Sequence, residues 1–157
     1  MVKQLLWLNF ILSWVSFFFI PKKSVKQYIP TAILAALLVT YVYEMSHYFK
    51  WWKVKKPIIP WVTPTDISYV LGPFFIGTLW VFHLTFKSGF KFYLIINMIL
   101  DGFFSYVYLP FIERLGVVKL KNINRTGIYL MMLLIAIIIY PFQIWKDQTS
   151  KEESSTE

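Results

Sequence analysis

The sequence predicts an all-α fold, a polytopic membrane helical bundle with about five transmembrane helices. Of its 157 residues, 57% are hydrophobic and only 15% are charged, whereas a soluble domain carries about 25% charged residues. The apolar residues form five runs near the length of about 17–25 residues that crosses a bilayer. These observations predict one integral membrane domain over residues 1–146, followed by a polar, disordered tail over 147–157.

Each predicted span is an apolar run that ends at basic or aromatic residues. The predicted spans are 5–20, 28–49, 67–86, 92–112 and 128–145. Tyrosine and tryptophan at the ends of these runs favour the headgroup layer and so mark the boundaries. The first run is predicted to be a retained helix, because no small-x-small cleavage motif follows Ile20. The runs are too long for barrel strands of about 9–11 residues.

The connection between the second and third spans is rich in proline. Three prolines between 57 and 64 exclude a helix there, and the apolar residues among them predict a segment lying along the membrane interface. Thr65 or Asp66 is expected to cap the third helix. Within that helix, Gly72 and Pro73 predict a kink or a close helix contact.

The basic residues predict a membrane partner. The formal net charge is +8, but lysine and arginine flank the spans, where they meet lipid headgroups, and no nucleic-acid-binding face is predicted. Membrane lipids are the expected partners, with a membrane-protein partner or a homo-oligomer as further options. The expected location is the cell membrane, multi-pass. Lys3 precedes the first span and three lysines between 22 and 26 follow it, which favours an outside N-terminus and a cytoplasmic C-terminus.

The fourth span contains a carboxylate near its middle. A charged Asp101 at that depth costs about 2.5–3.5 kcal/mol on insertion scales, so it normally faces protein or water. Asn97, Asp101 and Ser105 follow one another at intervals of four residues, which places them on one helical face. That face is predicted to point into the bundle.

A one-sided polar cavity is the candidate site. Its predicted members are Glu44, His47, Asp66, Asn97, Asp101 and Ser105. The cavity would bind a headgroup, an ion or a proton. The alternative is that these groups form hydrogen bonds between helices of a purely structural bundle, with Asp101 protonated. Glu44 and His47 could also extend to the interface instead of joining the cavity.

No cofactor, metal site or catalytic residue is predicted. Glu44 and His47 are spaced to share a metal ion, but two ligands without a third make a poor site. The chain contains no cysteine, which excludes disulfides, thiol catalysis and cysteine-based metal sites. No glycine-rich phosphate loop is present either.

From Tyr41 to Trp145 the chain resembles an uncharacterised family of small multi-pass membrane proteins of spore-forming Gram-positive bacteria. The residues that carry this resemblance are Glu44, Trp51, Trp52, Pro57, Pro60, Pro64, Asp66, Pro73, Phe104, Ser105, Pro110, Leu115 and Gly116. The family typically has an acidic pair in the second span and an acid before the later proline, where this chain has Tyr43 and Leu109. The resemblance implies a multi-pass architecture in a bacterial membrane, and no activity.

The sequence favours a non-enzymatic envelope or interaction component of a bacterial cytoplasmic membrane. The first alternative is an enzyme or binder for a lipid-like molecule, and Pro64-Thr65-Asp66 resembles half of a motif of membrane carotenoid cyclases. That family uses two acids where this chain has one, which argues against cyclase activity. The second alternative is ion or proton movement by an oligomer. One carboxylate per chain provides few ionisable groups for such a pathway.

Overall fold

Five helices and a two-stranded sheet make up the described part of the chain. A computed structural model describes residues 2–56 and 67–155. In chain order the elements are α1 (Val2–Phe17), α2 (Lys22–Tyr48), β1 (Trp52–Val54), α3 (67–88), α4 (Phe90–Arg114), β2 (Val118–Leu120) and α5 (Arg125–Ser155). Four of the helices, α2 to α5, are long and apolar enough to cross a membrane. The predicted all-α fold of about five helices is therefore confirmed, and the chain is a multi-pass membrane protein.

The helices extend beyond the predicted spans. Helix α2 begins at Lys22, six residues before residue 28, because Pro21 precedes it with a φ of −56° that suits a helix start. The sequence predicts a disordered tail from residue 147. In the structure, α5 continues to Ser155. Lysine side chains can reach the headgroups while their backbone remains helical, so the apolar run understates the helix length. The predicted interfacial segment 57–64 and the predicted cap at Thr65 or Asp66 lie outside the described residues.

Successive helices alternate in direction, which gives the bundle two distinct ends. The side chain of Asn9, in the middle of α1, donates to the hydroxyl of Tyr108 at 3.2 Å, and Trp80 donates to Ser16, near the C-terminal end of α1, at 3.2 Å. The end that carries β1 and β2 is called the sheet end here. The opposite end, where α3 meets α4 and where α5 terminates, is called the tail end.

The core lies between α2, α3, α4 and α5. Ala32 and Ala35 of α2 are fully buried and leave room for α3 to approach closely. Phe82 of α3 then meets Tyr93 of α4 at a centroid distance of 5.0 Å, and Tyr93 meets Tyr140 of α5 at 4.7 Å. The Tyr93 hydroxyl donates to the Ala136 carbonyl at 3.0 Å, which satisfies the polar end of this buried ring. Large apolar side chains cover the outer surface of all five helices, as a lipid solvent requires.

The two long connections at the sheet end are joined by an antiparallel strand pair. Lys53 stands opposite Lys119, flanked by the pairs Trp52–Leu120 and Val54–Val118. The apolar side chains of these pairs face the bundle, and the two lysines are more exposed. The sequence analysis missed this sheet, because the strands are three residues long and lie far apart in the chain.

Helices α3 and α4 each contain one wide π-helical turn. These turns are Val70–Phe74, which contains Pro73, and Phe104–Tyr108, which is followed by Pro110. Proline lacks an N–H group and crowds the preceding turn, so the helix widens or kinks beside it. At Pro73, where the sequence predicts a kink or a close contact, the helix has a π-helical turn. The predicted close contact is also present, because Gly72 lies against Phe10 of α1.

Gly72→Ala should loosen the contact between α1 and α3. A β-carbon at position 72 would lie 2.6 Å from a ring carbon of Phe10, so the ring or the whole of α1 must move. Overpacking of this kind costs about 1–3 kcal/mol, and we expect a lower Tm in detergent. Gly77→Ala is the matched control, since its β-carbon would meet nothing within 4 Å. If Gly72→Ala and Gly77→Ala have the same Tm, the close contact between Gly72 and Phe10 is contradicted.

Candidate binding site

The polar face of α4 points into the bundle, as predicted. Asp101 is 8% exposed and Ser105 is fully buried, while Asn97 one turn earlier is partly buried. The i, i+4 spacing of the three residues places them one above another along α4. The structure therefore brings together three of the six residues proposed for the site.

Asp101 and Asn97 line a cavity of about 170 Å³ between α3, α4 and α5. A single water needs roughly 10–15 Å³ of such space, so the cavity has room for several. Its other lining residues are mostly apolar, and Gly77 keeps one wall open because it has no side chain. Thr78 also lines the cavity, but its hydroxyl donates to the Phe74 carbonyl at 2.9 Å.

Two polar atoms on this face of α4 have no hydrogen-bond partner among the described residues, although Ser105 does not line the cavity. They are Oδ2 of Asp101 and Oγ of Ser105. Asn97 does not satisfy Asp101, because its amide donates to the Tyr93 carbonyl at 2.8 Å. A buried polar group without a partner costs about 1–3 kcal/mol. Asp101 Oδ2 is therefore an acceptor open to a hydrogen-bond donor or a cation.

A second, more apolar cavity adjoins the first towards the sheet end. It has a volume of about 110 Å³ and receives side chains from all five helices and from both strands. Residues common to the two linings are Tyr69, Pro73, Phe74, Phe104, Met132 and Ile135. Phe104 also meets Tyr69 at a ring-centroid distance of 5.4 Å, so an aromatic pair stands where the two cavities meet. This pair lies at the π turns of α3 and α4.

Two other predicted members of the site lie outside both cavities, and the third is not described. Glu44 and His47 are exposed on α2 and belong to the lining of neither cavity, and Asp66 is outside the described residues. Their participation in a polar cavity stays a prediction. Within residues 2–56 and 67–155, no three His, Asp or Glu side chains group closely enough to hold a metal ion.

A buried polar network at the tail end was missed by the sequence analysis. Fully buried Gln143 of α5 accepts a hydrogen bond from Thr31 of α2, also fully buried, and donates to Asp147 Oδ1 at 2.7 Å. Gln27 donates to Asp147 Oδ2 at 2.7 Å. The backbone carbonyl of Gln27 in turn accepts hydrogen bonds from Gln143 at 3.3 Å and from Lys146 at 2.9 Å.

A sequence signal for this network does exist. Gln143 interrupts the most apolar helix four residues before Asp147, and Gln27 precedes Thr31 by the same interval. Both pairs therefore share a helical face. Pro30 lies within the same part of α2 and weakens its backbone hydrogen bonding, which frees carbonyl groups for a neighbouring helix. His83 also lies at this end, where its Nδ1 shares a hydrogen bond with Ser24 at 2.9 Å.

No known protein family, curated protein or solved structure matches this chain.

Gln143→Leu should destabilise the protein by about 0.5–2 kcal/mol, because it leaves the Thr31 hydroxyl and Oδ1 of Asp147 without their partner. The expected result is a lower Tm in detergent. Gln148→Leu is the control, since Gln148 is exposed on the same helix. The double variant Thr31→Val, Gln143→Leu should lose less stability than the two single variants lose in total, because both partners of the hydrogen bond are removed together. If Gln143→Leu and Gln148→Leu have the same Tm, the network does not stabilise the protein.

Proposed function

We propose that this chain is a non-enzymatic component of a bacterial cytoplasmic membrane that binds a membrane lipid. The apolar cavity carries the proposal. It is lined on α1 by Leu6, on α2 by Val39, on α4 by Leu109 and on α5 by Ile128. A cavity between helices, walled by apolar side chains and closed at one end by a sheet, suits an acyl chain better than a polar solute.

The position of Asp101 supports binding over a purely structural role. A structural bundle would satisfy Asp101 through neighbouring helices, yet its Oδ2 has no partner among the described residues. Acid–base catalysis would need a second group placed to exchange a proton with the substrate. Asp101 is the one carboxyl group among the described residues that line the polar cavity, which favours binding over catalysis. Proton movement is disfavoured for the same reason.

The bacterial location and the orientation are part of the proposal. The resemblance to membrane proteins of spore-forming Gram-positive bacteria supports the location. The lysines that follow α1 at positions 22, 23 and 26 outnumber Lys3 before it, which supports an outside N-terminus and a cytoplasmic tail. In this orientation the sheet end is outside and the tail end is cytoplasmic.

Filling the apolar cavity should reduce the lipid that the protein retains. Val39 is 7% exposed and lines this cavity, so Val39→Phe occupies space that an acyl chain would use. We expect about tenfold weaker retention, equivalent to roughly 1.4 kcal/mol of overpacking. The measurement is the lipid extracted per protein after purification in mild detergent, quantified by mass spectrometry.

Two further variants make the cavity test decisive. Val107→Phe adds the same ring on the outer surface of α4, where Val107 is 54% exposed, and should retain lipid as the unmodified protein does. Val42→Phe, also in the cavity lining, replaces Val39→Phe if that variant does not fold. Equal lipid in a folded cavity variant and in the surface variant rejects the proposed function.

The orientation can be tested with single cysteines, because the natural chain has none. Asn122 at the sheet end and Ser150 at the tail end are both exposed. A membrane-impermeant maleimide should label Asn122→Cys in intact cells and Ser150→Cys only after permeabilisation. The reverse labelling pattern would show that the N-terminus is cytoplasmic.

A further inference from the structure

The unpartnered carboxylate oxygen of Asp101 specifies what the polar cavity can bind. The side chain is 8% exposed, and its Oδ2 has no hydrogen-bond partner among the described residues. A carboxylate accepts hydrogen bonds and attracts cations, but it donates only when protonated. A molecule in this cavity therefore meets an acceptor, and the group that fits beside it is a donor.

The nearby polar side chains do not supply that donor. The amide of Asn97 and the hydroxyl of Thr78 both donate to carbonyls of their own helices. The Tyr93 hydroxyl donates to the Ala136 carbonyl on α5. The donors of these lining residues are thus engaged with the backbone. The hydroxyl of Ser105, one turn further along α4, makes no hydrogen bond to Asp101 either, since neither Ser105 Oγ nor Asp101 Oδ2 has a partner among the described residues. Asp101 is therefore left to a bound molecule.

The shape of the two cavities indicates what the rest of the bound ligand must be. The polar cavity adjoins the apolar cavity across Phe104 and Tyr69, and the remainder of the shared wall is apolar. A molecule whose donor end reaches Asp101 would place its chain among apolar side chains on the way towards the sheet end. The two cavities together suit an amphiphile.

We infer that Asp101 receives the hydrogen-bond-donating end of an amphiphile, a hydroxyl or a primary ammonium, whose chain occupies the apolar cavity. This inference rests on the proposed function and names the ligand class of that site. A metal ion suits the site less well, because no group of three His, Asp or Glu side chains includes Asp101 in the described part of the chain.

Three single-chain probes that share a twelve-carbon tail test the inference. They are dodecylamine, dodecanol and dodecyltrimethylammonium, and the last carries a charge but has no N–H or O–H group. The Kd of each for the full-length protein is measured by native mass spectrometry in mild detergent. We expect the amine and the alcohol to bind roughly tenfold more tightly than the trimethyl compound, as befits one hydrogen bond to a charged group.

Variants of Asp101 separate the two donors. Asp101→Asn removes the charge and keeps an acceptor, so amine binding should fall about tenfold while dodecanol binding should change by less than about threefold. Asp101→Leu removes both and should reduce the binding of amine and alcohol to that of the trimethyl compound. Phe103→Leu, an exposed change on nearly the opposite face of α4, should alter none of the three values.

Each outcome decides between the two proposals. If all three probes bind equally, and Val39→Phe weakens all of them, the apolar cavity binds chains and the role of Asp101 is rejected. If no probe binds and Val39→Phe changes nothing, the proposed lipid binding fails as well. Tight binding of the amine but not of the alcohol would show that charge, and not hydrogen bonding, selects the ligand, which would overturn the inference in its stated form.

Discussion

A backbone group inside lipid must find its hydrogen-bond partner within the protein, and this constraint shapes the whole structure. Prolines within the helices interrupt this hydrogen bonding, because proline has no N–H group. At Pro73 and Pro110 the backbone responds by widening into π turns, and the boundary between the two cavities lies there. In α2, Pro30 lies near the Gln27 carbonyl, which α5 supplies with two donors. The same constraint therefore produces an open site at one place and a tight contact at the other.

The two buried polar groupings differ in how completely they are satisfied. At the tail end, Gln143 uses both its carbonyl and its amide, and Asp147 accepts at both oxygens. A network in which each member has a partner rigidifies the bundle. Asp101 in α4 is also buried, but it keeps an oxygen without a partner in the described residues. The contrast supports a structural role for Gln143 and the proposed binding role for Asp101, although both interrupt an apolar helix.

Sequence reasoning succeeded where the signal is local and periodic. Long apolar runs predict the helices, and the four-residue spacing of Asn97, Asp101 and Ser105 predicts their common face. The ends of the predicted spans do not coincide with the ends of the helices. At the start of α2, for example, the helix begins at Lys22, before the apolar run does. The pairing of Lys53 with Lys119 has no local signal, because it joins two short strands across two intervening helices. The cavities depend on side chains from three helices in one case and from all five in the other, so no single segment reveals them.

The shortest helix is also the most informative about access to the apolar cavity. With 16 residues, α1 is about 24 Å long, less than the roughly 30 Å of a hydrocarbon core. It nevertheless lies along the bundle, because Asn9 and Ser16 make polar contacts with α4 and α3. Leu6 and Phe10 form part of the cavity wall, while Leu8 and Leu12 on the same helix are more than 60% exposed. α1 therefore separates the apolar cavity from the surrounding lipid, and in the proposed function this short helix is the wall that an acyl chain would pass.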